Sequence, residues 1–152
     1  MLPLAVILLQ AALPPPGLPY DARTDYAGPG LLCGAAFSIR LEVGESAVLI
    51  KRSFVDAEMD VHLREGRFTV HESQYAVEGG DPVRRMPEGI LRRKREKGRT
   101  IWIYRDAAPG STEVHGPAVD SIRPGPLLNR IRFGAPRAER CLTGKGSGRR
   151  SG

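Results

Sequence analysis

Helical periodicity is missing from this sequence. No stretch repeats its apolar residues at the 3.6-residue spacing of an amphipathic helix, which excludes bundles and coiled coils. The nearest candidate is a short helix near residues 87–97, where a proline stands at the first turn and Gly89 weakens the interior. Apolar runs are short: none reaches the roughly 20 residues that a membrane-spanning helix needs. Aromatic residues make up 6% of the chain, few for a surface that stacks nucleic-acid bases. There are only two cysteines and no C-x-x-C, so a redox motif or a thiolate-rich zinc site has no support. The stretch "GPGLLCG" places Cys33 where a dinucleotide fingerprint requires its last glycine. "GESAV" around Ser46 lacks the second glycine of a nucleophile elbow. Asn129, the single asparagine, lies outside any glycosylation sequon.

Among the charged residues, lysine is scarce. Nineteen of the 23 basic residues are arginine, and the net charge is +6. Arginine excess beside abundant Ala and Gly also arises from a GC-rich genome, so charge alone names no partner. The first thirteen residues, "MLPLAVILLQAAL", carry no charged side chain and fit the apolar region of a signal peptide. No Lys or Arg precedes them, and cleavage after Ala12 would put Gln10 at the −3 position. The expectation is a signal peptide over residues 1–16, with an uncleaved membrane anchor as the alternative. A Pro/Gly-rich linker is expected over residues 17–30, one β-rich domain over 31–142 and a disordered basic tail over 143–152. Cys33 and Cys141 stand near the two ends of that domain, and in an oxidising compartment an isolated pair is most simply one disulfide.

Between the cysteines the dominant period is two. In "FSIRLEV", Phe37, Ile39, Leu41 and Val43 alternate with Ser38, Arg40 and Glu42, the pattern of a strand with one buried face. A type II′ turn at Gly44-Glu45 would then set Leu41 opposite Val48 and Ile39 opposite Ile50. A second hairpin turning at Glu65-Gly66 would set Leu63 opposite Phe68 and Val61 opposite Val70. "RTIWIYRD" and "STEVHG" form a third, and "SIRPG" and "NRIRFG" read as short late strands. The fold class is all-β or nearly so: a small antiparallel sandwich or barrel of about 7–8 short strands.

Two features could carry chemistry. In the expected register Asp60 faces His71, with His62 diagonal to it and Glu58 or Glu72 nearby, close enough to hold a divalent metal or to run acid–base catalysis. The bland alternative is the solvated face of a hairpin, where His, Asp and Thr are common. The other feature is a basic run including Arg92, Arg93, Lys94, Arg95, Lys97 and Arg99, which would attract polyanions. The sequence therefore points to a periplasmic or secreted, non-catalytic binding or structural module without a cofactor. Its expected partners are anionic lipid headgroups or glycans at the basic run, or a protein at an exposed sheet edge; nucleic acid fits less well. The rival is a metal-dependent or acid–base enzyme centred on Asp60, His62 and His71.

Overall fold

A computed structural model describes residues 22–51, 56–75, 77–87, 89–106, 110–120 and 125–146. The expected signal peptide, the start of the expected linker and the end of the tail lie outside the described residues. The strands are β1 (Ala22–Ala27), β2 (Gly30–Cys33), β3 (Phe37–Leu41), β4 (Ser46–Lys51), β5 (Asp56–Leu63) and β6 (Gly66–Ser73), then β7 (Asp81–Met86), β8 (Gly89–Glu96), β9 (Arg99–Asp106), β10 (Ser111–His115), β11 (Ile131–Phe133) and β12 (Lys145–Gly146). Two short helices, α1 (Pro117–Asp120) and α2 (Gly125–Arg130), and a 3-10 turn at Ala138–Arg140 complete the described elements. The fold is all-β and antiparallel, as its alternation implies. A nine-stranded sheet runs β12-β1-β4-β5-β6-β10-β9-β8-β7, and a three-stranded sheet runs β11-β3-β2.

The core lies between these sheets. Leu32, Phe37, Ile39 and Leu41 of the small sheet belong to one cluster with Met59, Val61, Phe68, Val70, Leu91, Trp102, Tyr104 and Val114 of the large one. Val119, Leu127 and Leu128 from the helices join it. Each large side chain so buried contributes roughly 1.5–3 kcal/mol. Tyr104 stacks on Phe133 with ring centroids 5.1 Å apart. Glu72 of β6 reaches across, its two oxygens accepting from the amides of Ala35 and Ala36 at 2.8 and 2.7 Å. The disulfide forms: Cys33 in β2 is bonded to Cys141, with Cα atoms 5.7 Å apart. Beside it the Leu142 amide donates to the Leu31 carbonyl at 2.7 Å.

Several local expectations give way. Residues 89–96 are strand β8, not a helix: all eight pair with β9, and Leu91 is buried in the core. Gly89 belongs there because an added Cβ would collide with the Arg105 carbonyl and the Tyr104 ring. Gly44-Glu45 does not close a hairpin, since β3 and β4 belong to different sheets. Val43, expected on the apolar face, is 74% exposed, while Glu45 is turned inward at 4%. The β5–β6 hairpin turns at Arg64-Glu65, with Leu63 opposite Gly66 and Val61 opposite Phe68. Gly66 follows the turn, at φ 140°, rather than occupying its centre. A two-residue slip keeps every side chain on its face, so hydrophobic patterning could not tell the two registers apart. Ordered structure also overruns the expected limits, with β1 inside the linker and β12 inside the tail. Of the late strands, "NRIRFG" supplies β11, preceded by α2, whereas residues 121–124 of "SIRPG" lie outside the described residues.

Candidate functional site

The true register disperses the histidine constellation. Asp60 faces Thr69 and accepts its hydroxyl hydrogen bond at 2.8 Å. His62 faces Arg67 across the hairpin and Ser46 on the other side. Arg67 and His71 are four positions apart on β6, so His62 and His71 are roughly 13 Å apart along the strands. His71 instead bridges neighbouring strands, its Nδ1 3.2 Å from Glu113 and its Nε2 3.7 Å from Asp56. Glu72 points to the opposite face, at Ala35 and Ala36. Among the described residues no group of three His, Cys, Asp or Glu side chains is placed to share a metal. The Asp60, His62, His71 set is therefore corrected to a polar strand face that cross-links β5, β6 and β10.

The basic run becomes an arm at one edge of the large sheet. β7 is the edge strand and its residues Asp81–Arg85 are exposed. From Asp81 to Asp106 the arm holds nine cationic side chains against four acidic ones. Because β8 alternates, the nominated residues do not share one face. Arg93 and Arg95 pair with Trp102 and Thr100 on the core side, whereas Arg92 and Lys94 pair with Ile103 and Ile101 on the outer side. Lys97-Gly98 forms the tip, both at positive φ (50° and 75°), as a type I′ turn requires. Lys94 lies 3.8 Å from Glu96, and Arg92 donates to the Gly80 carbonyl. Among the described residues Arg93, Arg95, Lys97 and Arg99 meet no carboxylate. Cations pointing both ways suit an extended polyanion better than a small ligand.

Small-ligand geometry occurs elsewhere. The small sheet turns one face outward, and there a groove of about 810 Å³ is lined by Ser38, Arg40, Arg130, Arg132, Phe133, Arg137 and Arg140, among others. Arg40 comes from β3 and Arg132 from β11, opposite Ser38, which is itself buried while Arg40 beside it is exposed. Arg137 and Arg140 come from the segment leading into Cys141. Among the described residues Arg40, Arg132, Arg137 and Arg140 have no carboxylate partner.

Arg130 differs, because it holds the wall together. Its guanidinium grips both oxygens of Glu45 at 2.6 and 2.7 Å, and also reaches Glu65 at 2.7 Å and the Arg40 carbonyl at 2.8 Å. Glu45 further accepts from the amides of Glu42 (2.7 Å) and Arg64 (3.0 Å). The Arg130 hydrogen bonds, with help from those amides and against the effect of burial, hold the Glu45 carboxyl down at about 2. Arg130 is correspondingly held charged, its pKa raised above the ordinary value by Glu45 first and then Glu65.

Sequence reading missed this groove because its arginines are scattered. The usable signal was the pair Arg137 and Arg140 immediately before Cys141, which the disulfide fixes against β2 and hence beside β3. No protein-family model matches the chain, and no curated protein or solved structure shows detectable similarity to it.

Proposed function

We propose that this chain is a non-catalytic binding module of the periplasm or cell surface that engages an anionic surface, of lipid headgroups or glycans, through the arm formed by β7, β8 and β9. The observation that carries the reading is the arm's charge: cations on both faces and at the tip, eight of the nine without a carboxylate among the described residues. Such a field raises the local concentration of polyanions, and their binding releases condensed counterions. Export is supported by the uncharged apolar opening and by the Cys33–Cys141 bond, since disulfides persist in oxidising compartments. Among the described residues no helix is long and apolar enough to cross a membrane.

The test is retention on immobilised heparin and co-flotation with phosphatidylglycerol vesicles. Wild-type protein should bind at low salt and elute as salt rises. R92Q/R93Q/K94Q/R95Q should bind at least tenfold more weakly, because four charge-assisted contacts go at once. Equal binding by that variant to both surfaces would reject the arm as the interface.

A further inference from the structure

The arm leaves one concave, strongly charged feature without a role. We propose that the groove on the outer face of the small sheet is a binding site for a polyhydroxylated ring bearing two or more sulfate or phosphate esters. Charge comes first. Four guanidiniums from three chain segments converge on one space, and among the described residues none has a carboxylate partner. Like charges held together repel, and an anionic ligand converts that repulsion into attraction. Glu42 lines the groove, but its carboxylate lies 3.6 Å from Arg64, so a cation already offsets it.

The donor set selects the anion. Each guanidinium presents a planar fork that matches the oxygens of a sulfate or phosphate in pairs. Four guanidiniums carry more positive charge than one sulfate or phosphate ester can balance, so the ligand carries several. Volume and lining select the rest. About 810 Å³ lies within the range of ligand pockets and is large for a bare ion. Ser38 and Asn129 offer hydrogen bonds to hydroxyls, and Phe133, Pro136 and Leu31 supply an apolar surface for a ring.

The walls are fixed in advance. Arg130 ties α2 to the Arg40 backbone and to both Glu45 and Glu65, acting as a positioning residue rather than a ligand contact. The disulfide and the Leu142–Leu31 hydrogen bond hold the segment bearing Arg137 and Arg140. Little ordering is then left for the ligand to impose, which favours affinity.

Isothermal titration of the oxidised full chain tests this, with inositol 1,4,5-trisphosphate and a trisulfated heparin disaccharide as separate probes and unsubstituted inositol as control. One or both probes should bind saturably at one site per chain, and which one binds names the source of the esters; inositol should not bind. R40Q/R132Q should weaken binding at least tenfold, and so should R137Q/R140Q, which changes a segment outside the paired strands. Unchanged circular dichroism would show that each variant folds. The arm variant R92Q/R93Q/K94Q/R95Q should lose heparin retention yet keep its affinity for the small probe, which separates this site from the arm. Absence of saturable binding by both probes, or equal loss in the arm variant, would overturn the proposal.

Discussion

Replacing Glu45 by alanine should destabilise the protein by about 3–5 kcal/mol, the range for removing one partner of a buried ion pair. The side chain is 3% exposed and receives hydrogen bonds from Arg130, the Glu42 amide and the Arg64 amide. Alanine would leave those donors short of an acceptor and Arg130 with Glu65 as its remaining carboxylate. Protonation should mimic the substitution. The Glu45 carboxyl sits at about 2 in the fold, against 4.5 ordinarily. Because the folded value is the lower one, its contribution is complete above about pH 4.5. It fades as pH falls from there and is gone once pH has passed through about 2. The amount at stake is about 3 kcal/mol. Urea unfolding of wild type and Glu45→Gln across this range isolates the effect, because other carboxylates titrate in both proteins. The stability gap between the two should be widest near neutrality and should narrow below pH 4.5. A gap that does not change with pH would show that the Glu45 charge contributes nothing.

Removing the disulfide should have an effect of similar size. Cys33 and Cys141 are 108 residues apart, and a closed loop that long is worth up to about 4.7 kcal/mol of chain entropy. Native disulfides in small domains typically contribute about 2–5 kcal/mol. The site makes the upper part of that range reasonable. Beyond Cys141 the chain is held by the isolated Leu31–Cys141 bridge, the Leu142 amide and the short β1–β12 pairing. C33A/C141A should therefore unfold at lower urea concentration, by about 2–5 kcal/mol, with a steeper denaturant slope because the unfolded chain, freed of its cross-link, exposes more surface. It should also lose affinity at the groove, since the segment carrying Arg137 and Arg140 loses its anchor. Equal stability with and without the bond would mean that the β1–β12 pairing closes the fold unaided.

The alternation of apolar residues made β5 and β6 of the large sheet legible. Met59, Val61, Leu63, Phe68 and Val70 are all buried where period two places them. The β9–β10 hairpin was legible for the same reason. Alternation does not say which sheet a strand joins. "FSIRLEVGE" looks like the first half of a hairpin, yet β3 pairs with β2 and β11, and the chain crosses to the large sheet at Glu45. The group that defines that corner, Arg130, is 85 residues away in sequence. Register was illegible for a related reason: a slip by two leaves every burial preference satisfied, yet moves Asp60 from His71 to Thr69. The charged run at Arg92–Arg95 was conspicuous because it is contiguous, and contiguity on a strand sends neighbours to opposite faces. Arg40, Arg132, Arg137 and Arg140 converge because they are not contiguous.

The most direct test of the surface-binding account is the salt dependence of affinity for a heparin chain, measured for wild type and for R92Q/R93Q/K94Q/R95Q. The account predicts that log affinity falls linearly and steeply with log salt concentration. It also predicts a shallower slope in the variant, by about one for each cation withdrawn from contact. Identical slopes in the two proteins, or wild-type binding that persists undiminished in high salt, would contradict it.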